Sequence, residues 1–186
     1  TEQSSVLWAA RTAKLVELAA RFLFKSCSRV LLTDLTWPSY RRILRRVARK
    51  VGGRIIVVPI RRMIFDELAA PEELVARITT VFVNHGCHGV LLPEVSHDGI
   101  RLPWQAIARS LRAERSDVRV VIDGAQAFGH VPTDLADCDI YVAGCHKWLG
   151  AYLPLGVAFC RPDAEFLHRR LRSGDPLLRF LTNLEN

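Results

Sequence analysis

Three side chains that could perform chemistry follow two apolar runs in the second half of the chain. Asp123 comes directly after the run at 118–122, and His146 and Lys147 come shortly after the run at 140–143. Both runs are rich in β-branched residues, which is typical of buried parallel strands. In an open α/β sheet, the carboxyl ends of such strands border the crevice in which ligands bind. We therefore expect the carboxylate and the lysine to share one crevice.

A lysine that faces a buried carboxylate has two chemical interpretations. The first is an ion pair that only stabilises the fold. In the second, the Lys147 amine loses its proton and forms a Schiff base with an aldehyde cofactor. The Asp123 carboxylate would then keep a pyridine nitrogen of that cofactor protonated, so that the ring withdraws electrons from the substrate carbon.

The elements that must position these groups alternate between helix and strand. The hydrophobic pattern predicts a first helix from about residue 5 to Phe24, capped by Thr1 or Ser4. Further strands are predicted at 29–33, 54–59, 88–95, 118–122, 140–143 and 155–161, and further helices at 40–51, 66–84, 103–115 and 162–180. Such alternation builds right-handed parallel crossovers and indicates an α/β fold with a mostly parallel sheet flanked by helices.

Composition restricts the class of protein. The chain has 186 residues, enough for one sizeable domain, and no apolar run long enough to cross a membrane. Its five cysteines show no paired spacing, so we expect reduced thiols in a cytoplasmic protein. The net charge of +7 permits a nucleic-acid partner, but the arginines lie on segments with helical spacing, where a solvated helix face explains them. The cluster of His85, Cys87 and His88 lacks a second ligand pair, and we expect no metal site.

Two linked motifs carry a family resemblance. Residues 123–126 read Asp-Gly-Ala-Gln, and residues 144–150 read Gly-Cys-His-Lys-Trp-Leu-Gly. In this order they resemble the class V aminotransferase and cysteine desulfurase family of fold type I enzymes, which use pyridoxal 5'-phosphate (PLP). The resemblance implies that residues 1–186 form the large PLP-binding domain of those enzymes and are part of a longer chain. The small C-terminal domain of the family is absent from this sequence.

The resemblance implies a role for each of five residues. Lys147 would hold PLP as a Schiff base and act as the general base on the substrate α-carbon. Asp123 would pair with the protonated pyridine nitrogen, and Gln126 would hydrogen-bond the ring hydroxyl. Trp37 would stack on the ring, and His146 would contact the phosphate.

Three further positions match the family pattern only in part. Thr1 fits a Thr-Glu pair that binds the cofactor phosphate in the family, and a plain helix cap explains it equally well. Ser96 stands where the family has an Asn that hydrogen-bonds the ring oxygen, so Ser96, the adjacent His97 or neither could make that contact. Gly144 stands where the family usually has a phosphate-binding Ser, and the loop after Lys147 is one residue longer than in the family.

The implied function is that of a PLP-dependent enzyme acting on an amino-acid-type substrate, in a homodimer. The residues leave transamination, epimerisation and carbon–sulfur cleavage open. A catalytically silent domain that retains the fold is the first alternative, since Gly144 and Ser96 depart from the family pattern. A nucleic-acid-binding domain driven by the basic helices is the second, and its arginine runs lack an accompanying aromatic platform.

Overall fold

An eight-stranded sheet forms the centre of the fold. The computed structural model describes residues 5–161 and 182–184. The strands are β1 (Ser5–Ala9), β2 (Arg29–Thr33), β3 (Arg54–Val58), β4 (Gly89–Pro93), β5 (Arg119–Asp123), β6 (Ile140–Gly144), β7 (Gly156–Cys160) and β8 (Thr182–Leu184). The helices are α1 (Thr12–Ser26), α2 (Pro38–Lys50), α3 (Arg61–Phe65), α4 (Pro71–Asn84) and α5 (Trp104–Glu114).

The strands follow the order β3-β2-β4-β5-β6-β7-β1-β8 across the sheet. Strands β3, β2, β4, β5 and β6 pair in parallel, which confirms the predicted mostly parallel sheet. Strand β7 runs antiparallel to β6, and β1 and β8 extend the sheet in antiparallel fashion. The carboxyl ends of the parallel strands therefore meet at one edge.

Helices cover both faces of the sheet, and each face has its own core. On one face α1 and α2 bury an apolar stripe that includes Leu15, Leu23 and Leu44. On the other face α4 and α5 bury a stripe that includes Ile78 and Ile107. The strands between them are apolar on both sides, as buried parallel strands must be.

The predicted first helix is wrong at its start. Residues 5–9 form strand β1, in which Leu7 and Ala9 are buried while Val6 and Trp8 are partly exposed. This period of two is that of a strand, and β1 pairs with β7 from the far end of the described chain. The helix begins only at Thr12. Thr1, Ser4 and the predicted helix at 162–180 lie outside the described residues.

The predicted helix at 66–84 also begins later than expected. Helix α4 starts at Pro71. Proline suits the first helical turn, because the N–H groups of that turn have no partner within the helix and proline loses no hydrogen bond by lacking one. Leu68, which precedes it, has a φ of 51° in the left-handed region, so no helix continues through this position. A short helix, α3, lies before that break.

No helix within the described ranges is both long enough and apolar enough to span a bilayer.

Candidate active site

A cleft lies at the carboxyl ends of the parallel strands. One cavity of about 100 Å³ is lined by Leu35, Trp37, Tyr40, Pro93, Val95, His97, Asp123, Ala125, Gln126 and Lys147. A more open cavity of about 460 Å³ is lined by Arg11, Thr12, Ala13, Trp37, Tyr40, Ala125, His146, Lys147 and Pro154. Because four residues line both cavities, the two form one continuous cleft. We call the first the floor cavity and the second the outer cavity.

Asp123 forms part of the floor at the last position of β5. In the sheet it lies beside Pro93 of β4 and Val142 of β6, and only 7% of the residue is exposed. Its carboxylate Oδ1 accepts a hydrogen bond from the Ala125 amide at 3.1 Å. Burial raises the pKa of Asp123 to about 6, and the Ala125 hydrogen bond and the charge of Lys147 oppose that rise. The anion is therefore poorly solvated, and a proton donor in the floor cavity would stabilise it.

A second buried aspartate shows what is unusual about Asp123. Asp139 stands just before β6, accepts a 2.6 Å hydrogen bond from the Val120 amide, and lies 3.9 Å from Arg112 and 4.0 Å from Arg119. Two guanidinium groups therefore lie within ion-pair range of its carboxylate, although burial still raises the pKa of Asp139. Within the described ranges, no basic side-chain nitrogen lies within 4.0 Å of the Asp123 carboxylate, so its charge is left for a group in the cleft.

Lys147 lies on the loop that leaves β6 and lines both cavities. The neighbouring Trp148 fixes this loop, since its indole Nε1 donates a 2.9 Å hydrogen bond to the Gln126 carbonyl. The Trp148 ring also stacks on His130, with 4.0 Å between ring centroids and 13° between ring planes. These contacts tie the lysine loop to the turn that follows Asp123, so that amine and carboxylate border the same cavity.

Trp37 supplies an exposed aromatic surface in the cleft. It caps α2, with Pro38 at the first helical position, and 44% of the residue is exposed. Its ring meets the His97 ring edge to face, with 5.0 Å between centroids. The extended backbone before a proline directs the tryptophan out of β2 and towards the ligand side of the sheet.

The structure separates Ser96 from its neighbour His97. Ser96 is buried, and its hydroxyl accepts hydrogen bonds from the Ile100 amide at 3.1 Å and the Asp98 amide at 3.3 Å. Ser96 is not among the lining residues of either cavity, whereas His97 lines the floor cavity. Of the three alternatives left open by the sequence, which were Ser96, His97 or neither, the geometry favours His97 over Ser96.

Three lining residues with polar or charged side chains escaped the sequence-based prediction: Tyr40, Arg11 and Thr12. Tyr40 lies three residues after Trp37 on α2, a spacing that places both on one side of the helix and could have revealed it. Burial, and secondarily the charge of Asp123, raise the pKa of the Tyr40 hydroxyl. Arg11 and Thr12 were missed because the residues before them were assigned to a helix, which hid the true helix start.

Thr12 explains the glycine that replaces the family's serine. The Thr12 hydroxyl donates a 3.2 Å hydrogen bond to the Ala143 carbonyl. A Cβ atom added at Gly144 would lie 2.9 Å from the Thr12 oxygen and 3.0 Å from Cε1 of His146. Any side chain at position 144 would therefore have to displace Thr12 or His146.

Comparison with known proteins places these features in a family. The family model described as aminotransferase class-V matches residues 1–177. The chain is 36% identical over 132 residues to isopenicillin N epimerase from Amycolatopsis lactamdurans, covering 70% of this chain and 31% of that protein. It is 25% identical over 154 residues to putative L-cysteine desulfhydrase 1 from Oryza sativa subsp. japonica, covering 80% of this chain and 29% of that protein. The chain thus spans about a third of the length of these curated relatives.

A solved structure shares the fold at lower sequence identity. It is the structure of a mutant of the cystine C-S lyase C-DES with glycine covalently linked to the PLP cofactor. It superposes with a TM-score of 0.70 at 20% identity, over 87% of this chain and 42% of that chain. The fold is therefore that of a fold type I PLP domain, and the chain belongs to the class V aminotransferase family.

Proposed function

We propose that this chain is the cofactor-binding domain of a PLP-dependent enzyme that acts on amino-acid substrates. One observation carries the proposal. Asp123, a buried carboxylate with no ion pair within 4.0 Å among the described residues, shares the floor cavity with the amine of Lys147. The family of the chain, and the PLP named in the C-DES structure, support PLP as the cofactor.

The side chains of the cleft fit the chemical groups of PLP. The cofactor has an aldehyde, a basic pyridine nitrogen, a flat ring and a phosphate. The Lys147 amine suits the aldehyde, the buried Asp123 carboxylate suits the pyridine nitrogen, and the exposed Trp37 indole suits the flat ring. The basic side chains of Arg11 and His146 at the outer end suit the phosphate. When bound, PLP supplies an electron-withdrawing ring that stabilises negative charge on the substrate α-carbon.

Asp123 controls the protonation of the ring nitrogen in this proposal. Burial raises the pKa of Asp123, because its charge is poorly solvated in the floor cavity. The Asp123 carboxylate would accept a hydrogen bond from the protonated ring nitrogen and would hold that proton in place. Trp37 would cover the ring face and exclude water, and His97 rather than Ser96 would contact the ring oxygen.

Lys147 moves the proton of the substrate. Its Nζ would accept the α-proton of the bound substrate and would return it in a later step. Transamination, epimerisation and carbon–sulfur cleavage share this removal of the α-proton. The residues of the cleft serve that shared step, and the proposed reaction class is defined by it.

A homodimer is a further part of the proposal. The loop after Lys147 exposes several large apolar side chains beside the cleft, with Tyr152 fully exposed and Leu149 and Leu153 more than half exposed. Apolar side chains grouped in this way mark an interaction surface. A second copy of the protein that covers this loop would also close the outer cavity from water.

Exchange of the substrate α-proton tests the proposed function. The protein would be incubated with PLP in D₂O with single amino acids, and loss of the α-proton signal would be followed by NMR. We expect exchange with at least one amino acid, and none with Lys147→Ala. Lys50→Ala is the matched control, because Lys50 is exposed on α2 and lines neither cavity. Equal exchange in Lys147→Ala and the unmodified protein would contradict the proposal.

A further inference from the structure

Charge is distributed unevenly along the cleft. The floor cavity contains the carboxylate of Asp123. The outer cavity is lined by three basic side chains, Arg11, His146 and Lys147, and the described residues that line it include no carboxylate. Lys147 stands where the two cavities meet. The outer end of the cleft is thus suited to an anion, and the floor is suited to a protonated group.

Arg11 is the permanent charge at this outer end. It lies at the residue before α1, is exposed, and takes part in no ion pair or side-chain hydrogen bond with another described residue. Several other arginines are paired, as Arg46 is with Glu17 and Arg109 with Asp137, whereas Arg11 lines the outer cavity with its guanidinium unpaired among the described residues. A guanidinium that lines a cavity with other basic groups and has no acidic partner is well placed to take an anionic ligand.

The Thr12 hydroxyl and a serine at position 144 are both unavailable as donors at this end of the cleft. The proton of the Thr12 hydroxyl is donated to the Ala143 carbonyl, and the space beside Gly144 is filled by Thr12 and His146. The serine hydroxyl that family members use for phosphate therefore has no place here. Another donor can supply that contact, and Arg11, whose charge is permanent, lines the same cavity as His146 and Lys147.

We propose that Arg11 is the main charged ligand of the cofactor phosphate, an inference that rests on the proposed function. Its guanidinium presents parallel N–H donors that match two phosphate oxygens, and the protein thereby replaces a neutral hydroxyl contact by a charged one. A substrate carboxylate has similar anionic oxygens, so the test must distinguish the phosphate of the cofactor from the carboxylate of the substrate.

Binding of PLP compared with pyridoxal, which lacks the phosphate, isolates this contact. Dissociation constants of both would be measured by absorbance titration of the protein, of Arg11→Gln and of Arg11→Lys. We expect Arg11→Gln to weaken PLP binding by about tenfold and to leave pyridoxal binding unchanged. Arg11→Lys keeps the charge but not the planar pair of donors, so we expect a smaller loss.

Lys14→Gln is the matched control, since it removes the same charge from an exposed position in the first turn of α1 and lines neither cavity. It should leave both affinities unchanged. Equal weakening of PLP and pyridoxal by Arg11→Gln, or no weakening of either, would overturn the role of Arg11. Weaker binding of the amino acid with unchanged PLP affinity would also overturn it and would assign Arg11 to the carboxylate. Failure of the unmodified protein to bind PLP at Lys147 would instead contradict the proposed function itself.

Discussion

The floor and the outer end of the cleft are built in different ways. Asp123 is the last residue of a central strand and is fixed by strand pairing on both sides. Lys147 lies on an exposed loop held by the contacts of Trp148 to Gln126 and His130. The carboxylate therefore occupies a position that the whole sheet determines, whereas the amine occupies a position that a few local contacts determine.

The space beside two glycines also differs between the floor and the lysine loop. A Cβ atom added at Gly124, directly after Asp123, would lie 2.0 Å from the Tyr141 ring. The Tyr141 hydroxyl is itself fixed by a 2.7 Å hydrogen bond to the buried Glu94, so the ring cannot easily move. At Gly150, on the lysine loop, an added Cβ would meet nothing within 4 Å. The floor is tightly packed and the lysine loop has free space around it.

The largest expected effect is a loss of catalytic rate without a loss of stability when Lys147 on the exposed loop is replaced. We expect Lys147→Ala to lower the rate of any amino-acid turnover by about 10³-fold, because the proton-transfer group is lost. Since Lys147 is exposed, the free energy of unfolding should change by no more than about 0.5 kcal/mol. Steady-state kinetics and urea denaturation of the same preparation would check both. A large loss of stability would show that the lysine loop contributes to the folded structure more than its exposure indicates.

At the floor we expect a substitution to lower the rate and raise the stability. Asp123→Asn should lower turnover by about 10²-fold, because the ring nitrogen loses its anionic partner. The folded pKa of Asp123 is about 6, above its ordinary 3.8, so its contribution to stability is full below about pH 4 and is lost as the pH rises towards 6. Since Asn does not ionise, the cofactor-free variant should be more stable than the unmodified protein by about 2 kcal/mol at pH 8.

Denaturant unfolding of the cofactor-free protein at pH 4 and pH 8 would measure this difference. The stability gain of Asp123→Asn should shrink towards pH 4. A gain of equal size at both values would show that removal of charge is not its cause. Asp139→Asn is the contrasting substitution, because the Asp139 carboxylate also lies near Arg112 and Arg119 and accepts a hydrogen bond from the Val120 amide, and we expect a smaller gain in stability at pH 8 than for Asp123→Asn.

The two glycines test the difference in packing directly. We expect Gly124→Ala to lower the free energy of unfolding by about 3 kcal/mol, because its methyl group overlaps the Tyr141 ring. Gly150→Ala should cost only about 1 kcal/mol, which reflects its φ of 65° rather than any contact. Thermal unfolding of both variants would give the two values. Equal losses would contradict the difference between floor and lysine loop.

The smallest effect concerns the anchor of the lysine loop. Trp148→Ala removes the stacking on His130 and the hydrogen bond to the Gln126 carbonyl, and we expect a loss of about 1 kcal/mol in stability. PLP binding should weaken, because Lys147 is no longer held beside the floor cavity. Trp148→Phe retains a ring but has no hydrogen-bond donor, so its stability and PLP affinity should lie between those of the unmodified protein and of Trp148→Ala. Unchanged PLP affinity in Trp148→Ala would show that another contact positions the lysine.

The sequence located Asp123 and Lys147 but missed Arg11 and Thr12 for a physical reason. Asp123 and Lys147 follow apolar runs whose length and composition are those of buried strands, and their placement depends mainly on local pattern. Strand β1 was mistaken for helix because its identity depends on pairing with β7, about 150 residues away along the chain. No local pattern in residues 5–9 reports that partner.

Side-chain direction was the second feature beyond the reach of the sequence. Ser96 and His97 are adjacent, and either could serve the cofactor by motif alignment. The hydrogen bonds from the Ile100 and Asp98 amides to the Ser96 hydroxyl turn Ser96 into the loop and leave His97 in the cleft. Which of the two side chains enters the cleft depends on the hydrogen bonds that the backbone amides of the turn make, and these are visible only in the three-dimensional structure.

Trapping of the cofactor on the protein tests the central claim most directly. The purified protein would be incubated with PLP, reduced with borohydride, digested and mapped by mass spectrometry. A shared site for Lys147 and Asp123 predicts a pyridoxyl group on Lys147 alone, and a markedly lower yield of that adduct in Asp123→Asn. Adducts spread over exposed lysines such as Lys14 and Lys50, with no preference for Lys147, would contradict it.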